Sequence, residues 1–486
     1  MTVRGTYTFE TKVVEMQRES STRVEKDKLG ERSLPSDALY GIHADRAREN
    51  FEGSGKRVHS ALIRAYAQVK LAAAVVNHSL SHLDDRVFNA LAQACREMID
   101  GGLDDSIIVG ALQGGAGTSL NLNVNEVLAN RALQILGHAP GRYDIIHPLD
   151  HVNKQQSTND TFMTSLKLAC LALSDELEVS LTELFNSFQR KEEEFAEVVK
   201  IGRTQLQDAV PITLGREMAA YGQMIARDRW RIFKCKERLR VVNLGGTAVG
   251  TGLGAERKYI FKVVEELRRI SGYGLARAED LVEATQNTDS FVEVSGYLKT
   301  LACNLIKIAA DLRLLSSGPN AGFNELDLPP RQAGSSIMPG KVNPVIPEAT
   351  QQAAMMAVAY DGALSQACSM GSLELNPFGP LIADSLLSSF SLLSTGARNL
   401  ARRCIDGLVA HKENCRRHAF STTSLATVLV DELGYEAVEG LLKRSEDEGL
   451  TLEELVLKTK TMSEEKLDSI FSPSRVCRLG RPAKRK

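Results

Sequence analysis

No run of about eighteen apolar residues occurs anywhere in the chain, so no segment of it can cross a membrane as a helix. The opening stretch, MTVRGTYTFETKVVEMQRESSTRVEKDKLG, mixes charged and polar residues and lacks the apolar centre of a secretory signal. A soluble, cytoplasmic protein is expected. An excess of one charge is also missing: 59 Lys and Arg against 61 Asp and Glu leave a net charge of −2, which argues against a nucleic-acid surface. The basic end, RLGRPAKRK, reads as a solvated tail. Eight cysteines never approach a CxxC spacing, so they read as reduced core residues rather than metal ligands. His78 and His82 have the i, i+4 spacing of a helical metal pair, but no third ligand accompanies them, and no metal is expected.

Glycine and proline are absent between Pro148 and Gly202, leaving 53 residues compatible with one very long helix. Its start is expected at Ser157-Thr158-Asn159-Asp160, all good N-cap types. Leu166, Leu173, Leu177, Leu181, Leu184 and Phe188 then recur at helical steps and form a packing seam. Comparable stretches at 215–242, 297–317 and 348–370 are rich in Ala, Leu, Met, Glu and Lys. No strand-like alternation of useful length and no solenoid repeat is visible. The 486 residues therefore read as an all-α protein. Its parts are a disordered extension (1–26), an N-terminal helical domain (27–147), a central long-helix bundle (148–405) and a small C-terminal helical domain with the basic tail (406–486). Ala-rich faces such as EATQQAAMMAVAY permit close approach of neighbours and suggest that the bundle continues into partner subunits.

Two glycine-rich stretches fail as nucleotide sites. GGTAVGTGLGAE (245–256) does not complete GxGxxG, and GSSIMPGKV has Val342 where a phosphate loop needs Ser or Thr. Four polar blocks remain: QGGAGTSLNLNVNE (113–126), HPLDHVNKQQSTND (147–160), GRTQLQDAVP (202–211) and AGSSIMPGKVNPVIPE (333–348). Each alone reads first as helix caps and turns. Jointly they collect hydroxyls, amides, helix N-termini and one lysine, the donors that hold a carboxylate without a metal.

The strings GGAGTSLN, QSTND, GRTQLQDAVP and GSSIMPGKVN, in this order, resemble those of the aspartase/fumarase superfamily of lyases over roughly residues 27–480. GGAGTS, the STN at 157–159 and Gln205 resemble the aspartase branch, whereas LELNPFGPLIAD (373–384) and Leu149 depart from the common patterns. The resemblance implies a tetrameric twenty-helix core with active sites shared between subunits. It also implies no organic cofactor, and anti elimination of ammonia from L-aspartate to give fumarate through an aci-carboxylate. Carried over by motif, Ser335 resembles the general base, with Lys341 and backbone N–H groups stabilising its alkoxide. Thr118, Ser157, Thr158 and Ser336 would hold the β-carboxylate; Asn159, Thr204, Lys341 and Asn343 would hold the α-carboxylate and amino group. Gln205 would orient the substrate. Glu348 and Met338 support the site, and Gly334 and Gly340 act as hinges of a lid. A fumarate hydratase, or an inert structural member of the same fold, is the alternative.

Overall fold

The computed structural model describes residues 21–421 and 424–479. Residues 1–20 of the expected extension and most of the basic tail lie outside the described residues. The end of that extension is not without structure: strand β1 (Thr22–Asp27) pairs antiparallel with β2 (Gly30–Pro35). Its charges, which in sequence read as disorder, are consumed internally. Glu25 is buried and accepts from Arg23 Nε (2.8 Å), Ile42 N (2.9 Å) and the Tyr143 hydroxyl (3.0 Å), while Arg46 Nε donates to Asp27 at 2.8 Å.

Helix α1 (Ser60–Ser79) is buried along most of its length, including one lysine, Lys70. Helix α2 (Thr118–Ile135) follows the GGAG turn, whose Gly117 has φ +91°. A Cβ there would lie 2.1 Å from the Phe162 ring, so only glycine allows this approach. Helix α3 (Thr158–Glu194) starts as expected. Ser157 is its N-cap, and Asp160 completes a capping box. All six seam residues from Leu166 to Phe188 are buried.

The helix stops at Glu194 because the chain turns into a hairpin, β3 (Val199–Thr204) and β4 (Gln207–Thr213), that the sequence did not announce. Its turn residues Gln205 and Leu206 have φ of +55° and +62°, the geometry usually marked by Asn-Gly. Helix α4 (Leu214–Leu239), capped by Thr213, α5 (Asp289–Leu315) and α6 (Val345–Ser369) occupy the other anticipated stretches. Helix α7 (Gly379–Arg403) was not anticipated, since NPFGP resembles a break; Pro380 sits in its first turn, where a proline is tolerated. Asn376 forms the corner: it is fully buried, donates to Ala367 O (2.9 Å) and Cys368 O (3.2 Å), and accepts from Phe378 N at 2.9 Å. Five of the cysteines are buried as expected, but Cys303 and Cys477 are exposed.

Helix α3 packs on α4 and α7, α6 on α5 and α7, and α4 on α5, giving a five-helix bundle. The described residues contain only two-stranded sheets beside it. No described helix is long and apolar enough to cross a membrane. A second, smaller core, built on Phe420, Leu429, Val456 and Phe471 among others, lies toward the C-terminus and touches β3 through Val199.

Bundle geometry separates the polar blocks. With 37 residues, α3 spans about 55 Å. Its start lies beside the α2 start and the α4 end, through Asn121–Thr158 and Asn243–Asn159 contacts. Its far end meets the α7 end, where Lys191 donates to Leu408 O and Arg190 pairs with Asp406. Arg331, just before the 333–348 block, donates to Arg403 O at that same far end.

Candidate functional site

At the near end, the first turns of α2 and α3 converge. Thr118 is exposed at the start of α2, Ser157 and Asn159 are half-buried, and Thr158 is 8% exposed. Ser157 Oγ accepts from Asn159 N at 3.3 Å, and Thr158 Oγ1 accepts from Asn121 Nδ2 at 2.9 Å. The loop 245–254, rejected above as a nucleotide site, instead wraps this corner. Gly245 N and Thr247 N donate to Asp160 Oδ2 at 3.0 and 3.1 Å, and Asn159 Nδ2 donates to Ala248 O at 2.7 Å. Burial pushes the Asp160 carboxyl up to about 6, against the pull of its backbone donors.

Beneath this surface sits Lys70, 1% exposed, donating to Asn121 Oδ1 (2.7 Å), Gln156 Oε1 (2.9 Å) and Asn153 Oδ1 (3.0 Å). Burial lowers its ammonium to about 7. The motif reading missed Lys70, Asn121, Asn153 and Gln156. A single lysine inside the apolar YAQVKLAAAVV was the available signal.

At the far end, Thr204 and Gln205 stand exposed at the hairpin tip. The tip end of the hairpin is anchored by Arg203, whose guanidinium donates to both Glu325 oxygens at 2.7 and 3.1 Å. Lys200 lies 3.1 Å from the same carboxylate, and His418, on the following helix α8 (Lys412–Ser421), lies 2.9 Å from it. Burial alone would raise Glu325, but Arg203, Lys200 and His418 hold it below its ordinary value.

The loop carrying the serines is tied at its neck: Gly334 N donates to Lys341 O (2.8 Å) and Asn343 Nδ2 donates to Gly334 O (2.7 Å). Gly334, expected to be a hinge, is required here for close approach, since a Cβ would lie 2.6 Å from Lys341 O. Gly340 has φ +80°. Ser335 Oγ accepts from Ile337 N (3.2 Å) and Met338 N (3.0 Å). Ser336, Met338 and Lys341 are exposed, and Glu348 in the first turn of α6 lies 3.7 Å from Arg313. Lys341, Asn343, Glu348 and Arg313 line a groove of about 690 Å³. One chain thus joins Thr118, Ser157, Thr158 and Asn159 at one end of the bundle and keeps Thr204, Gln205 and the serine loop at the other.

A long-helix bundle with hydroxyl, amide and ammonium donors on four of its loops carries the groups that hold small anions. The lyase family matches residues 30–359, and the fumarase C C-terminus matches residues 425–478. The chain belongs to this lyase family. It is 46% identical to an aspartate ammonia-lyase of Pseudomonas aeruginosa, over 93% of this chain and 96% of that one. It is 43% identical to an aspartate ammonia-lyase of Bacillus subtilis, over 94% and 96%. Among solved structures, a fumarate lyase:delta crystallin from Brucella melitensis bound to cobalt superposes with TM-score 0.89 at 45% identity, covering 94% of this chain and 100% of that one. A class II fumarase from Schistosoma mansoni gives 0.86 at 32% identity, covering 93% and 98%.

Proposed function

We propose that this protein is an aspartate ammonia-lyase, a cytoplasmic homotetramer that converts L-aspartate reversibly to fumarate and ammonia. The observation that carries the chemistry is the pair of backbone N–H groups aimed at Ser335 Oγ. A serine is a poor base unless its alkoxide is stabilised, and two fixed donors do so without reorganisation. The alkoxide takes the C3 proton of aspartate; the electron pair enters the β-carboxylate as an aci-dianion, then forms the C2–C3 double bond as the C2–N bond breaks and ammonia leaves. Ser335 then returns its proton to solvent.

Developing charge on the β-carboxylate needs donors that exist before the proton moves. Thr118, Ser157, Thr158 and Ser336 take that role, and the α3 N-terminus adds its partial positive charge. Asn159, Thr204, Lys341 and Asn343 hold the α-carboxylate and amino group, while Gln205 orients them and cannot titrate. Glu348 and Met338 support the loop. The loop is a lid that closes over bound substrate and expels water, turning at Gly340.

Groups about 55 Å apart cannot touch one aspartate, so this reading requires several copies, packed so that the near end of one meets the far end of another. Large exposed apolar residues on the long helices, Trp230 and Phe233 on α4 and Met355 and Met356 on α6, support such packing. Absorbance of the fumarate double bond, followed on adding L-aspartate, other amino acids and L-malate separately to purified protein, tests the assignment. A signal with ammonia release from aspartate is expected; a signal from malate alone would make the protein a hydratase.

A further inference from the structure

Lys70 stands apart from the chemistry described so far. It is buried and, among the described residues, makes no ion pair within 4 Å; the Asp160 carboxylate attracts it only from farther off. All three of its hydrogen bonds go to side-chain amide oxygens. Such an ion is only partly compensated, since burial outweighs the attraction of Asp160.

The directions of those bonds are constrained. An ammonium can only donate, so the oxygen of Asn121 must face Lys70. The amide nitrogen of Asn121 then faces outward, donating to Thr158 Oγ1 at 2.9 Å and to Asn153 Oδ1 at 3.2 Å. Asn153 Oδ1 is committed as an acceptor three times over, to Lys70, Asn121 and Asn125. With its lone pair engaged by Asn121, Thr158 must direct its own hydrogen elsewhere. Among the described residues nothing accepts it.

We propose that Lys70 and Asn121 are positioning residues that polarise Thr158, so that its hydroxyl is held as a donor toward the substrate carboxylate. The chain of donors runs from the ammonium through the amide to the hydroxyl. It delivers part of a buried positive charge to the anion without contact between Lys70 and substrate, and successive bonds of one polarity reinforce one another. The bound carboxylate in turn adds to the partial compensation that Asp160 already gives Lys70 through space.

This inference rests on the reading of Thr158 as a substrate contact, and the experiment separates the two. Succinate, an unreactive dicarboxylate, is titrated against the full-length assembled enzyme by calorimetry and as a competitive inhibitor. Thr158→Val reports on the contact itself. Asn121→Asp keeps the side-chain shape and gains an ion pair with Lys70, but presents an acceptor to Thr158, turning its hydrogen inward and its lone pair toward the substrate. Lys70→Met removes the origin of the polarity. We expect each change to weaken succinate by at least about tenfold, the loss attached to a hydrogen bond to a charged group. KM should rise more than kcat falls, and Asn121→Asp combined with Thr158→Val should bind no worse than the weaker single variant.

Unchanged succinate binding in Thr158→Val would overturn the substrate reading and the relay with it. Weakened binding in Thr158→Val with unchanged binding in Asn121→Asp would overturn the relay alone. Additive losses in the double variant would assign Asn121 a general structural role and also overturn it. Should Lys70→Met fail to fold, Asn121→Asp, which keeps the ammonium, decides the question.

Discussion

Ser335 is the residue on which the proposed chemistry turns. Its side chain is half-buried on a loop and bonded only to the N–H groups of that loop, so removing the hydroxyl leaves no buried partner unsatisfied. Ser335→Ala should lower kcat by about 10²–10⁴, the contribution of a positioned base, while the melting temperature and assembly size stay at wild type. Retention of turnover would dismiss Ser335 as the base. A second residue with a readable charge state is His59. Its Nδ1 accepts from Ala61 N at 3.1 Å, which fixes the proton on Nε2, 2.9 Å from Ser391 Oγ. Burial holds this imidazole below its ordinary value. The unfolded chain therefore takes up the proton first as pH falls. The contribution of His59 to stability is complete above the unfolded value of about 6.5 and is lost as pH falls through it toward the lower folded value. His59→Asn keeps a capping acceptor but cannot titrate, so between pH 7 and pH 5 its melting temperature should fall less than that of the wild type. An equal fall would show that another group governs acid lability.

Among the elements, the start of α2 depends on one missing side chain. Gly117 combines a left-handed φ with a Phe162 ring 2.1 Å from where a Cβ would stand. Gly117→Ala should cost at least about 2 kcal/mol in urea unfolding, through backbone strain and a core that must move. It should also displace Thr118 and reduce kcat/KM. A variant that unfolds at the wild-type urea concentration would mean that Phe162 can swing aside at little cost. The hairpin poses a related question, because Gln205 and Leu206 hold positive φ without glycine or asparagine. Such strain is retained where surrounding contacts over-determine it, and here Arg203, two residues before the turn, is clamped by Glu325, which joins β3 to α8.

For the whole molecule, the separation of near and far groups within one chain leads to a mixing experiment. Thr158→Val and Ser335→Ala, assayed at substrate far below KM, where each alone keeps about a tenth of wild-type activity or less, are dissociated together and allowed to reassemble. If each site draws Thr158 from one copy and Ser335 from another, random assortment leaves some sites with both intact, and activity should return to about a quarter of wild type. Failure to recover activity, with exchange of labelled subunits verified, would place both residues in one copy and contradict the shared site.

Much of this is legible in the amino-acid sequence itself. The long helix announced itself through its lack of glycine and proline and through a leucine seam, because burial on a 3.6-residue period is a local property of a sequence. Its N-cap was readable for the same reason, since Ser157 and Asp160 act on backbone groups within one turn. The lyase motifs were readable as strings. The hairpin was hidden because its turn, Gln205-Leu206, carries no usual turn residue. The Asn376 corner and helix α7 were hidden because Pro377, Gly379 and Pro380 read as a break, although the corner's bonds to Ala367, Cys368 and Phe378 are local in sequence. Lys70 was hidden more deeply. A lysine in an apolar helix looks like an interruption until Asn121, Asn153 and Gln156 arrive from other elements to accept its protons, and long-range convergence of that kind leaves no periodic trace in the chain. Tertiary structure also decided that Thr158 and Ser335 occupy opposite ends of one bundle, because a 37-residue helix is a rigid spacer whose length follows from sequence but whose neighbours do not.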